Sequence, residues 1–270
     1  MLEVGRRGGA LVASAIWLLL AAAGSARAES ALRLPYPDVF GTIPASTYDE
    51  DHQRIGSAHL VVENVDDTHV RLLIESGIDG GARTVATAEL ETVDDGRFLK
   101  LLKQESRSFD ANGIPMGVLS IDHESGIASC NKPEGDGIAT ELLTLPKQDR
   151  VANVPLTLLF QPLVEGTTDE VTFQLLLCRF GARLIDIDAH IVSPDGGEEE
   201  ANPIIEVEYR PNFGRFVSLV AEKWMPKLSI WFDRRVPNPW IAHRIPLYSK
   251  GPEVFVIRDG VANAVLRRSN

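Results

Sequence analysis

Apolar residues recur at every second position in run after run of this chain, and pairs suited to tight reversals separate the runs. Ala58, Leu60 and Val62 alternate with His59 and Glu63, and Val70, Leu72 and Ile74 alternate with His69, Arg71 and Glu75. Successive side chains of a strand point to opposite faces, so each run reads as a strand with one face buried and one in water. Asp79-Gly80, Asp95-Gly96 and Asn112-Gly113 fall between runs, where a hairpin turn needs positive φ. Weaker alternation with small residues on one face covers 82–91, and further runs follow at 98–108, 116–122 and 139–145. The pattern resumes at 171–178, 183–192, 205–209, 228–233, 241–248 and 253–258. So many half-buried antiparallel strands must hide their apolar faces against one another. The expected fold is mainly β, an antiparallel meander forming a curved sheet, half-barrel or sandwich.

Two segments break the alternation and predict one or two short helices. Residues 153–164 hold Pro155 near the start and a compact Leu/Phe group. Phe213, Phe216, Val217, Val220 and Trp224 lie at helical spacing and are followed by Pro226. The favoured arrangement is a curved sheet with these helices plugging its concave side. Residues 29–45 carry three prolines and little periodicity, which reads as an extended lead-in outside the fold. Residues 46–262 show no linker or repeat and read as a single β-rich domain.

The first 28 residues read as a secretory signal peptide. Arg6 and Arg7 precede an apolar run from Leu11 to about Gly24, and Ala26-Arg27-Ala28 has the A-x-A form of a cleavage site. Flanking glycines fit a twin-arginine signal poorly. Cleavage after Ala28 leaves 242 of the 270 residues; it removes Arg6, Arg7 and Arg27 against Glu3, so the net charge of −11 becomes −13. So acidic a chain is repelled by nucleic-acid phosphates, and its densest basic groups, Arg234-Arg235 and Arg267-Arg268, are only pairs. No later apolar run reaches membrane-spanning length, so no transmembrane anchor is expected after cleavage. The expected location is periplasmic or secreted. In that oxidising space Cys130 and Cys178, the only cysteines, are expected to form a disulfide, with two buried thiols as the alternative.

The C-terminal half supplies a resemblance. Val164-Glu165-Gly166 leads into a strand, 182–192 follows, and later come Pro226-Lys227-Leu228-Ser229-Ile230-Trp231-Phe232-Asp233 and Pro252-Glu253-Val254-Phe255-Val256-Ile257-Arg258. These segments resemble a group of bacterial exported β-rich proteins carried as a domain of unknown function, over about residues 50–260. The resemblance implies a periplasmic antiparallel β fold and assigns no catalytic residue.

Chemistry-bearing residues are few. Asp186, Asp188 and His190 share one face of a strand and are candidates for a metal or a carboxylate–imidazole pair, but the opposite face is apolar, which turns this one to solvent. Asp122-His123-Glu124-Ser125 has hydrolase residue types, yet consecutive strand residues point apart, and no G-x-S-x-G elbow presents a serine. The loop Asp195-Gly196-Gly197-Glu198-Glu199-Glu200 lacks the oxygen-ligand spacing of a calcium loop. No cofactor motif is present, so no cofactor is expected. Phe213, Phe216, Trp224, Trp231 and Trp240 either line an apolar ligand cavity or form ordinary core. The leading expectation is a non-enzymatic binder or carrier of a hydrophobic or envelope-derived ligand, or of an envelope protein. A structural module of an envelope assembly comes next, then a carboxylate hydrolase.

Overall fold

The computed structural model describes residues 32–270 except 136, 148–149, 179–180, 193–202, 213–227, 249–250 and 267–270. Among these described residues fifteen strands form one antiparallel sheet. In chain order they are β1 (Arg33–Pro35), β2 (Gly41–Tyr48), β3 (Arg54–Asn64), β4 (His69–Gly77), β5 (Arg83–Val93), β6 (Phe98–Phe109), β7 (Pro115–Asp122), β8 (Ile127–Glu134), β9 (Gly137–Thr144), β10 (Val171–Leu177), β11 (Arg183–Ile191), β12 (Ile204–Pro211), β13 (Leu228–Asp233), β14 (Trp240–Pro246) and β15 (Glu253–Arg258). The short helices are α1 (Leu156–Leu159), α2 (Gln161–Val164) and α3 (Ala262–Leu266). The spatial order runs β10 to β15, then β2 to β9, so the chain makes two meanders joined where β15 pairs with β2. The mainly β expectation and the helix within 153–164 hold, whereas the helical stripe from Phe213 to Trp224 and the acidic loop 195–200 lie outside the described residues.

The alternation maps onto the two faces as the pattern requires. Ala58, Leu60 and Val62 of β3, Val70 and Leu72 of β4, and Ala88 and Leu90 of β5 all join one core cluster, while His59, Arg71 and Glu89 lie on the other face. Two turns illustrate the local reason: Asp79-Gly80 and Asn112-Gly113 place glycine at φ +67° and +79°, conformations that cost an L side chain steric strain. Gly56 is required differently. A Cβ there would lie 1.9 Å from the Gly77 carbonyl oxygen, so β3 and β4 can meet at this end only with glycine.

The lead-in expectation for 29–45 needs correction. β1 lies in it and pairs with β6, Leu34 is fully buried in the main core, and β2 begins at Gly41. Prolines at strand ends and edges are compatible with pairing, and single buried residues such as Leu34 leave no periodicity to read. β8 has no counterpart among the runs read above, because its inward positions are Ala128 and Cys130 and Pro133 interrupts it.

The sheet is not closed by hydrogen bonds between β9 and β10, the two ends of its strand order. Instead it rolls past itself. Phe173 of β10 faces the main core, while Leu176, Cys178 and Leu184 pack with Ile121, Ala128 and Cys130 of β7 and β8 in a separate cluster. The β7–β9 end therefore overlaps the outside of the β10–β11 end. Cys130 and Cys178 are joined in a disulfide across this overlap, with Cα atoms 5.5 Å apart. Residues 150–153 form a strap along the β10 edge. Val151 bridges Gln174 in parallel, the Ala152 amide donates to the Gln174 carbonyl, and the Gln174 amide donates to that of Arg150. The strap is gripped from the opposite side by Gln104 of β6, which is 1% exposed. Its Nε2 donates to the Val151 carbonyl at 3.0 Å, and its Oε1 accepts from the amides of Asn153 and Val154 at 2.7 and 3.0 Å.

Candidate functional site

Past the strap, the chain turns into α1 and α2, which fill one end of the rolled sheet. Leu156, Leu158, Leu159, Phe160 and Leu163 are all buried in the main core. Helices this short make few internal hydrogen bonds, so their position is set by burial of these side chains. Phe160 sits in an aromatic group with Phe173 and Tyr209, its ring centroid 5.7 and 5.5 Å from theirs. α2 also reaches the β13–β14 turn, where Gln161 Nε2 donates to the Asn238 carbonyl at 3.2 Å.

The other end has different character. Because the strands alternate in direction, the β4–β5, β6–β7, β10–β11 and β14–β15 connections all lie at one rim. The inward row Ile43–Leu60–Ile74–Ala86–Ser106–Leu119 follows from the register of β2 through β7. Leu60 in that row is buried, but Ile74, Ala86, Ser106 and Leu119 are only half-buried, as are Leu228 of β13 and Ile245 of β14 across the roll. Nearer the rim, Thr84 Oγ1 lies 3.1 Å from Ser108 Oγ and donates to the Leu247 carbonyl at 2.7 Å, joining β5 to the far wall. These side chains offer methyl and hydroxyl groups and no charge. Ile74, Ala86 and Leu228 pack against the main core but keep partial exposure, and the buried Leu247 bridges to Thr84 across this end.

Between plug and rim stands a pair that the alternation alone did not single out. Tyr209 of β12 reaches across β13 to His243 of β14, with its hydroxyl 2.6 Å from Nε2. Tyr209 is buried, whereas His243 retains partial exposure on the inward row Val207–Ile230–His243–Val256. Burial pushes the His243 imidazolium down to a pKa of about 3 and holds the Tyr209 phenol well above its ordinary value. Both groups are neutral across the physiological range. Their protonation equilibria are moved apart and away from pH 7, which suits hydrogen bonding to a neutral partner better than proton transfer. The readable signal was a histidine and a tyrosine at inward positions of apolar strands.

The residues singled out from sequence are placed apart. Asp186, Asp188 and His190 lie on the outer face of β11, opposite the buried Ile187 and Ala189. Asp186 accepts from Gln174 Nε2 and Asp188 from Asn212 Nδ2, both at 2.8 Å. Among the described residues no group of three or more His, Cys, Asp or Glu side chains has the arrangement of a metal site. Asp122 caps its own turn by accepting from the amides of Glu124 and Ser125, which hold its carboxyl below the ordinary range. His123 Nε2 lies 2.9 Å from Gln104 Nε2 and so belongs to the strap anchor.

Trp231 and Trp240 face opposite sides of the sheet. A bulge between Trp231 and Phe232 sets Trp240 with Phe232 in the main core, and Trp231 with Ile241, Phe255 and Val265 of α3 in an outer cluster. These two tryptophans therefore do not line one cavity. Phe213, Phe216 and Trp224 lie outside the described residues.

No helix among the described residues is long and apolar enough to cross a membrane. No protein-family model and no curated protein matches the chain. Among solved structures it is similar to a β-barrel-like protein of the domain of unknown function DUF1849 from Brucella abortus, at 12% identity and a TM-score of 0.38, over 82% of this chain and 97% of that one.

Proposed function

We propose that this chain is an exported, non-enzymatic binding protein that holds an uncharged, largely apolar ligand of envelope origin in the open end of its rolled sheet. The observation that supports this reading is the partial exposure kept by the inward residues Ile74, Ala86, Ser106, Leu228 and Ile245, of which Ile74, Ala86 and Leu228 also pack against the main core. Hydroxyls of Thr84, Ser106 and Ser108 give that surface a polar side able to orient one end of an amphiphile. Neutral His243 and Tyr209 add hydrogen-bonding capacity without charge, so a fatty or isoprenoid alcohol fits better than an anionic lipid. Export is supported by the leader-like first 28 residues and by a disulfide of the kind that persists in oxidising compartments.

The test is native mass spectrometry of the mature chain purified from periplasm, with solvent extraction of bound material. The expected result is a co-purifying neutral apolar molecule, lost in an Ala86→Phe/Ser106→Phe variant that fills the open end. A clean 242-residue mass, together with no uptake of an added long-chain alcohol by the wild-type protein, would refute the reading.

A further inference from the structure

The two ends of the strand order are treated unequally. The β10 edge is covered by the 150–153 strap, whereas β9 is hydrogen-bonded to β8 on one side and, among the described residues, to no strand on the other. Natural edge strands are commonly protected by lysine, proline, a bulge or a covering loop, because open backbone groups template further pairing. Among the described residues β9 carries no lysine, proline, bulge or covering loop, and its one inward charge, Glu141, is neutralised by its own partners. It runs for eight residues, Gly137–Thr144, pairs with β8 without a register shift, and contains neither proline nor lysine. Its outward side chains are Ile138, Thr140, Leu142 and Thr144, with Ile138 and Leu142 exposed to 74% and 70%. Ile127 of β8, opposite Thr144, extends the apolar surface at 46% exposure. The one charge on the strand, Glu141, points inward and is committed: it accepts from the Ala182 amide and pairs with Lys132 at 3.2 Å.

We infer that β9 is a self-association edge, at which a second copy of this chain adds its own β9 antiparallel across a two-fold axis. One feature selects a second copy over another partner. The strip is self-complementary: a two-fold at Thr140 sets Ile138 of each copy opposite Leu142 of the other and Thr140 opposite Thr140, with like faces meeting. The net charge of −11 opposes association of two copies, so the contact between them falls where the surface is uncharged, as along this strip. Continued pairing would join two sheets into one. The contact is at the small end of specific interfaces, about 1,000 Å² in total, so dissociation in the micromolar range is expected. This inference stands independently of the ligand reading.

Sedimentation velocity of the mature protein from about 1 to 200 µM, a range set by that contact size, should show concentration-dependent dimerisation. An Ile138→Lys/Leu142→Lys variant, altered only at exposed positions, should remain monomeric with an unchanged far-UV spectrum. Thr140→Cys should form a symmetric intermolecular disulfide under mild oxidation. A wild-type protein monomeric throughout the range would overturn the inference. So would a dimer that survives the lysine pair, or a Thr140→Cys variant that dimerises without cross-linking.

Discussion

Replacing Gln104 should show how much of the rolled sheet depends on one buried amide. Its carbonyl oxygen is an acceptor for the backbone amides of Asn153 and Val154, and its NH₂ donates to the Val151 carbonyl. Gln104→Met keeps the volume but removes the acceptor, leaving two backbone donors beneath the core without a partner. Each buried orphan costs about 1–3 kcal/mol, so the variant should lose about 4 kcal/mol. Gln104→Ala adds a cavity and should lose about 1–2 kcal/mol more. Against a typical total stability of about 5–15 kcal/mol this is a large fraction. With a urea slope of about 2–3 kcal/mol per molar, the midpoint should fall by roughly 1.5 M for Gln104→Met. Hydrogen exchange supplies the local readout: amides 152–154 should lose protection before those of β3–β5. A Gln104→Met midpoint within about 0.4 M of wild type, equivalent to about 1 kcal/mol, would refute the reasoning, since it would mean that the strap amides find other partners.

Four further expectations concern the latch, the two members of the buried pair and the open end. Cys130→Ser/Cys178→Ser opens a loop with a sequence separation of 48 and should lose about 4 kcal/mol of denaturant stability on the chain-entropy estimate; an unchanged midpoint would show that the overlap holds without its covalent link. The folded pKa of His243 lies below its unfolded value of 6.5, so the unfolded chain binds the extra proton first. Its contribution is complete above pH 6.5 and is lost as pH falls towards about 3, and His243→Phe should flatten the slope of stability against pH in that window, as read by urea titrations at successive pH values. Tyr209 carries the opposite sign, its folded pKa being raised, so its contribution is full below pH 10 and is lost above it; ultraviolet titration should show one tyrosine ionising only as the protein unfolds. Ala86→Phe should leave stability within about 1.5 kcal/mol of wild type, because a half-buried site facing solvent tolerates added volume that a closed core rejects; a loss above about 3 kcal/mol would show a packed interior instead.

Most strands were legible because a half-buried strand writes its two faces into alternate residues. β3, β4, β11 and β12 carry apolar residues on the inner face and charges on the outer, and the limits of β11 and β12 are close to the predicted ones. β8 and β1 escaped for a physical reason: Ala128, Cys130 and Leu34 are buried by what lies over them, and small or solitary residues leave no period. For Asp186, Asp188 and His190, alternation placed the outer face correctly and so turned them towards solvent. For Trp231 and Trp240 the sequence left cavity lining and ordinary core open, and a bulge, which nothing in the local residue types announces, sets the two on opposite faces.

The sequence by itself determined the mainly β class, its antiparallel meander character, the hairpin turns and the short helix within 153–164, and it favoured a disulfide between Cys130 and Cys178. All of these are local properties, or follow from having no alternative partner. Only the tertiary structure decided that the sheet overlaps itself without closing, that Gln104 and the 150–153 strap cap one edge while β9 pairs on one side only among the described residues, and that Tyr209 meets His243 across an intervening strand. Curvature and overlap come from twist summed over fifteen strands and from the volume of the α1–α2 plug, neither of which is written in any single segment. Which inner residues are covered and which still meet water therefore emerges only once the whole sheet has rolled.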